Sequence, residues 1–210
     1  IVENPAEPEE GRIVILTAHE ESELLYAAIH FLDDYIPVHA PLHGSNAMPD
    51  LIFDAPLTVC SYTEVPDHKT RSVFTWGHSI NDYRAYIDNM ARLKLNELVL
   101  WNDYIPLNIR DIIDYAHSCA VKVIWGFAWG WGVDCSVSAK LDDESLHQLR
   151  DEIVAKYERE YLNSGCDGIY FQSFTENTGA YIEGRLVADM VTDFVNEPAD
   201  ALLARYPDLY

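Results

Sequence analysis

The sequence predicts an α/β protein in which a small α/β domain, residues 1–66, precedes the first half of a (β/α)8 barrel, residues 67–210. Three observations predict the barrel half. After Arg71, four short runs rich in β-branched and aromatic residues, SVFTW, ELVLW, VKVIWGF and GIYFQ, alternate with stretches whose apolar residues recur at helical spacing. Three of the runs are largely apolar on both faces, the pattern of parallel strands covered by helices on each side. The repeat is about 25 residues long, the rhythm of a barrel that needs roughly 250 residues for its eight units, so only the first four are expected here. A self-contained doubly wound sheet ranks second, because the first strand-to-helix turn, Gly77–Ile80, has no glycine-rich phosphate fingerprint.

Each element follows from local chemistry. Residues 1–12 are rich in Pro and Glu and read as an exposed lead-in; Arg12–Thr17 is a β-branched run and Glu21–Asp34 an amphipathic helix with Ser22 as its cap. From Tyr35 to Lys69 Pro, His and Gly dominate, with short apolar pieces at Leu51–Phe53 and Leu57–Cys60 that would finish a small sheet before a linker at Val65–Lys69. The barrel strands are then 72–76, 97–101, 121–127 and 168–172. Helices are predicted over 82–95, 109–119, 145–162 and 184–204, capped at Asn81, Asn108 and Asp142 or Asp143, with Pro198 kinking or dividing the last. Another strand would begin within Arg205–Tyr210.

Composition limits the function. A net charge of −21, from 35 acidic and 14 basic residues, excludes the clustered Lys and Arg that nucleic acid or an anionic membrane demands. Neutral and cationic ligands fit. No run approaches the roughly 18 residues needed to cross a bilayer, so a soluble protein is expected. The chain starts at Ile1, which suggests trimming or processing and leaves localisation between cytoplasm and secretion. Cys60, Cys119, Cys135 and Cys166 show no CxxC spacing and read as buried free thiols, and the eight histidines form no ligand pattern, so no metal or cofactor is expected.

The candidate site lies at the carboxyl ends of the strands, where parallel α/β folds collect ligands. All five tryptophans, Trp76, Trp101, Trp125, Trp129 and Trp131, lie at or just past the ends of the first three runs. Packing accounts for Trp125 as well as ligand contact does, whereas Trp129 and Trp131, in the glycine-rich GFAWGWG, suit a flat ligand. Beside them come His78, Asn102, Asp103, Gln172 and Asn177. Aromatic faces with carboxylates and amides suit a sugar ring, whose C–H face stacks while its hydroxyls hydrogen-bond. Glu176, following the fourth strand near Phe171 and Phe174, then takes the role of a general acid with a raised pKa that protonates the leaving glycosidic oxygen.

At RSVFTWGHSI, ELVLWND, VKVIWGFAWGWG and DGIYFQSFTE the chain resembles the family 20 hexosaminidases and, more closely at the ends of the second and fourth strands, the family 67 α-glucuronidases. The resemblance implies a non-catalytic α/β domain followed by a catalytic barrel, with Glu176 in the place of the acid after the fourth strand. It also implies a second catalytic carboxylate from later strands. The chain departs from the hexosaminidase pattern at Thr175, where that family has Asp, and at Trp76–Ser79, where it has Asp-x-x-Arg. Two functions are therefore weighed: a glycoside hydrolase, or a non-catalytic carbohydrate-binding or structural module. A half barrel would expose its outer strands, so a homodimer or a C-terminal barrel half is an expected partner.

Overall fold

A computed structural model describes residues 2–3, 12–35, 61–102, 104–126, 143–171, 179–182 and 184–210. The N-terminal part contains a two-stranded antiparallel ladder, β1 (Val2–Glu3) with β2 (Arg12–Ile13), and helix α1 (Glu21–Tyr35). The β-branched run was expected to form a strand as far as Thr17. The described ladder covers Arg12–Ile13, and Ile15 and Leu16 are exposed. Ser22 lies inside the helix rather than before it. The pieces 51–53 and 57–60 lie outside the described residues.

The body is a four-stranded, wholly parallel sheet of β3 (Ser72–Trp76), β4 (Glu97–Trp101), β5 (Lys122–Gly126) and β6 (Gly168–Tyr170), paired in chain order. Between and after them run α2 (Tyr83–Arg92), α3 (Ile109–Ser118), α4 (Asp143–Lys156) and α5 (Val187–Leu203), with a small hairpin of β7 (Tyr181–Ile182) and β8 (Arg185–Leu186) leading into α5. The fold class is therefore α/β.

Register divides the side chains between two faces, since alternate residues of a strand point to opposite sides. Val73, Leu98 and Val123 align in one row and Thr75, Leu100, Trp125 and Ile169 in the next. This face packs against the helices: Leu98, Leu100, Val123 and Trp125 join Ile87, Met90, Ile112, Ile113 and Phe194 in one buried core. The opposite face holds the rows Phe74, Val99, Ile124, Gly168 and Trp76, Trp101, Gly126, Tyr170. Phe74 and Tyr170 come from the two outer strands, three spacings or roughly 14 Å apart in a flat sheet, yet their ring centroids lie 5.2 Å apart. The sheet thus curls about this second face, making it concave.

Glycine permits the curl. A Cβ on Gly126 would fall 2.6 Å from Cδ1 of Tyr170 and 2.7 Å from its carbonyl oxygen. At the outer edge of β6, Tyr210 N donates to Asp167 O and Ile169 N donates to Tyr210 O, both at 3.0 Å. These two bonds flank Gly168 as in a parallel ladder.

The three helical stretches that lead into β4, β5 and β6 end alike. After α2, Lys94 has φ 57° and Leu95 N bonds Met90 O; after α3, Ala120 has φ 58° and Val121 N bonds Ala116 O; before β6, Gly165 has φ 96° and Cys166 N bonds Tyr161 O. A left-handed residue with a six-residue closing bond ends each helix and launches the next strand. The stretch predicted as one helix over 145–162 instead changes pitch: α4 gives way to a π turn at Tyr157–Tyr161 and a 3-10 turn at Leu162–Ser164. The wider turn stacks Tyr157 on Tyr161, 5.5 Å apart and both fully buried, and directs the Tyr157 hydroxyl to donate to Gly168 O. Pro198 does not divide α5. It occupies the buried stripe with Met190, Phe194 and Leu202, which holds the helix to its course.

Candidate functional site

The carboxyl ends of β3 and β4 bring Trp76 and Trp101 together by register, and their rings meet edge to face at 4.6 Å. Phe74 continues the group, 6.1 Å from Trp76, and links it to Tyr170. Trp76 and Phe74 are 41% and 47% exposed, so part of the aromatic surface faces solvent. The Trp101 indole nitrogen is buried and, among the described residues, without a hydrogen-bond partner.

Short turns carry the polar residues. Following β3, Gly77–Ser79 form one 3-10 turn, fixed by the Ser79 hydroxyl donating to Trp76 O at 2.7 Å and the Tyr83 hydroxyl donating to Gly77 O at 3.0 Å. This turn sets His78 on the surface with its ring 6.1 Å from Trp76. Asn102 follows β4: its amide donates to Gly126 O at 3.0 Å, and its side-chain oxygen accepts from Tyr104 N at 3.4 Å. A Cβ on Gly77 would lie 3.1 Å from the Asn102 side chain, so the two turns abut. Asp82 rather than Asn81 caps α2, accepting from Ala85 N at 3.0 Å. Asn108 occupies the cap position of α3 without a side-chain bond to it.

Of the residues expected at the site, Trp76, His78, Trp101 and Asn102 are therefore neighbours at one end of the sheet. Asp103, Trp129, Trp131, Gln172, Glu176 and Asn177 lie outside the described residues, as does Phe174. Trp125 belongs to the other face, fully buried with its ring 6.2 Å from Tyr161. Phe171 also packs on the helix-side core rather than beside the aromatic group. Sequence reasoning missed Phe74 and Tyr170; the signal was parity, since Phe74 is two residues from Trp76 and so shares its face.

The two described thiols, Cys119 and Cys166, stand apart from this site, and Cys60 and Cys135 lie outside the described residues. Burial pushes Cys166 up to about 12, which keeps it protonated and unreactive, and Cys119 is a half-buried free thiol. No helix among the described residues is long and apolar enough to cross a membrane. Comparisons with protein-family models, curated proteins and solved structures give no match.

Proposed function

We infer that the chain works as a glycoside hydrolase, with Glu176 as general acid and an aromatic subsite built on Trp76 and Trp101. The observation that carries this reading is the 4.6 Å tryptophan pair at the carboxyl ends of two parallel strands, flanked by His78 and Asn102. Such a surface suits a pyranose: its C–H face lies on the rings while a histidine and an amide take its hydroxyls. The barrel reading draws support from the chain-order sheet, from the one face on which the described helices pack and from its curl around the other. On this reading residues 67–210 supply the first four βα units, residues 1–66 are a non-catalytic domain, and the second carboxylate comes from later units.

The test is Glu176→Gln in the full polypeptide with aryl glycosides as substrates. Loss of a general acid lowers turnover by about 10²- to 10⁴-fold, least for substrates with good leaving groups. Unchanged turnover overturns the assignment. Oligosaccharides that quench tryptophan emission while no product forms identify a binding module instead.

A further inference from the structure

The turn between β3 and α2 hangs on Gly77, whose carbonyl accepts two hydrogen bonds. Ile80 N donates at 3.3 Å and closes the 3-10 turn, and the Tyr83 hydroxyl, from the first turn of α2, donates at 3.0 Å. The turn has a further tie, from the Ser79 hydroxyl to Trp76 O, but it lies on the exposed side, where water competes for both groups; Tyr83 is half-buried. Burial also raises the Tyr83 pKa, so the phenol remains a donor past the range in which an exposed tyrosine ionises.

Gly77 is itself buried, and on its other side lies the turn after β4. A Cβ there would stand 3.1 Å from the Tyr83 oxygen and 3.1 Å from both Cβ and Nδ2 of Asn102, tighter than ordinary contact. The Gly77 backbone is thus held between a phenol and an amide. His78 is the next residue, exposed, with its ring 6.1 Å from Trp76. Whatever fixes Gly77 fixes the point at which that imidazole leaves the chain.

Resting on the glycosidase reading, we propose that Tyr83 is a positioning residue of the saccharide site, acting through Gly77 O to hold His78 beside Trp76. An imidazole held in one place gives up little orientational freedom when a saccharide hydroxyl arrives. On a loose turn it gives up more, and affinity falls.

Tyr83→Phe in the full polypeptide removes the hydroxyl and keeps the ring. Two readouts test it: turnover of a panel of para-nitrophenyl glycosides of neutral, N-acetylamino and uronic sugars, and proton–nitrogen NMR of the tryptophan and histidine side chains. KM rises about three- to tenfold, the range of one lost hydrogen bond, while kcat stays within about twofold. The Trp76 and His78 signals shift and the Trp125 signal does not. In a His78→Ala background the KM effect of Tyr83→Phe shrinks, because the two residues act as one unit. Gly77→Ala, which crowds the same junction from the other side, moves the same two signals. Unshifted signals with an unchanged KM overturn the positioning role and leave the glycosidase reading standing. A fall in kcat at constant KM with a lowered melting temperature marks a purely structural tyrosine and overturns it, as does a KM effect undiminished in the His78→Ala background. Absence of turnover by the unsubstituted protein removes the glycosidase reading and the role that rests on it.

Discussion

Trp101 and Trp125 stand on adjacent strands one residue apart in register, Trp101 opposite Gly126 and Trp125 opposite Leu100. That single step sends them to different faces. Trp125 enters the helix-side core and is fully buried, whereas Trp101 joins Trp76 on the concave side, where rings remain partly open to solvent. The same residue type at the same end of the sheet thus serves packing on one face and presents a surface on the other. Parity along the strand decides which.

The largest effect expected from this contrast is that of Trp125→Ala, which empties a space no neighbour can refill and costs about 3–5 kcal/mol in urea unfolding. A cost near that of an exposed substitution would break the comparison. Gly126→Ala comes next: its new methyl meets the Tyr170 backbone, and the shift it forces costs about 1–3 kcal/mol. It also disturbs the curl, visible as a change in near-ultraviolet circular dichroism.

Alkaline titration probes the helix side. Burial raises Tyr157, and a hydrogen bond to Asp88 is the main cause that pushes Tyr115 up to about 12. Both groups therefore stay protonated in the folded chain above pH 10, where unfolded tyrosines ionise. The unfolded state then binds fewer protons, so their contribution is complete below about pH 10 and declines as pH rises towards 12. Tyr115→Phe makes the urea midpoint fall less steeply between about pH 10 and 11.5. An identical slope would mean that the Asp88 contact does not hold the phenol proton.

Trp76→Ala is expected to change stability by about 1 kcal/mol or less, because its ring is already 41% exposed. Its effect should appear in saccharide binding instead. The smallest change runs the other way. Ala120→Gly relieves a left-handed alanine and raises stability by about 0.5–1 kcal/mol without altering either face.

The strand positions were legible because β-branched runs and their boundaries are local: 72–76 and 97–101 coincide with β3 and β4. Helical spacing likewise located α2 and α3 to within a few residues. What depends on partners was not legible. Pro198 continues a helix because its neighbours hold it, and the π turn at Tyr157–Tyr161 goes with tyrosine stacking and a bond to Gly168. At the site, the neighbourhood of Trp76, His78, Trp101 and Asn102 could be read from strand ends. The separation of Trp125 from it required register, which no single run of sequence contains.

The repeated helix endings bear on how the chain assembles. Ser72 aligns with Glu97 and Glu97 with Lys122, so these partners lie only about 25 residues apart along the chain. The helical stretches before β4, β5 and β6 each reverse direction at a left-handed residue and deliver a new strand to the edge laid down just before. Loop closure over such short distances has a small entropic cost. The sheet can therefore grow in the order of synthesis, one strand at a time, as the polypeptide leaves the ribosome.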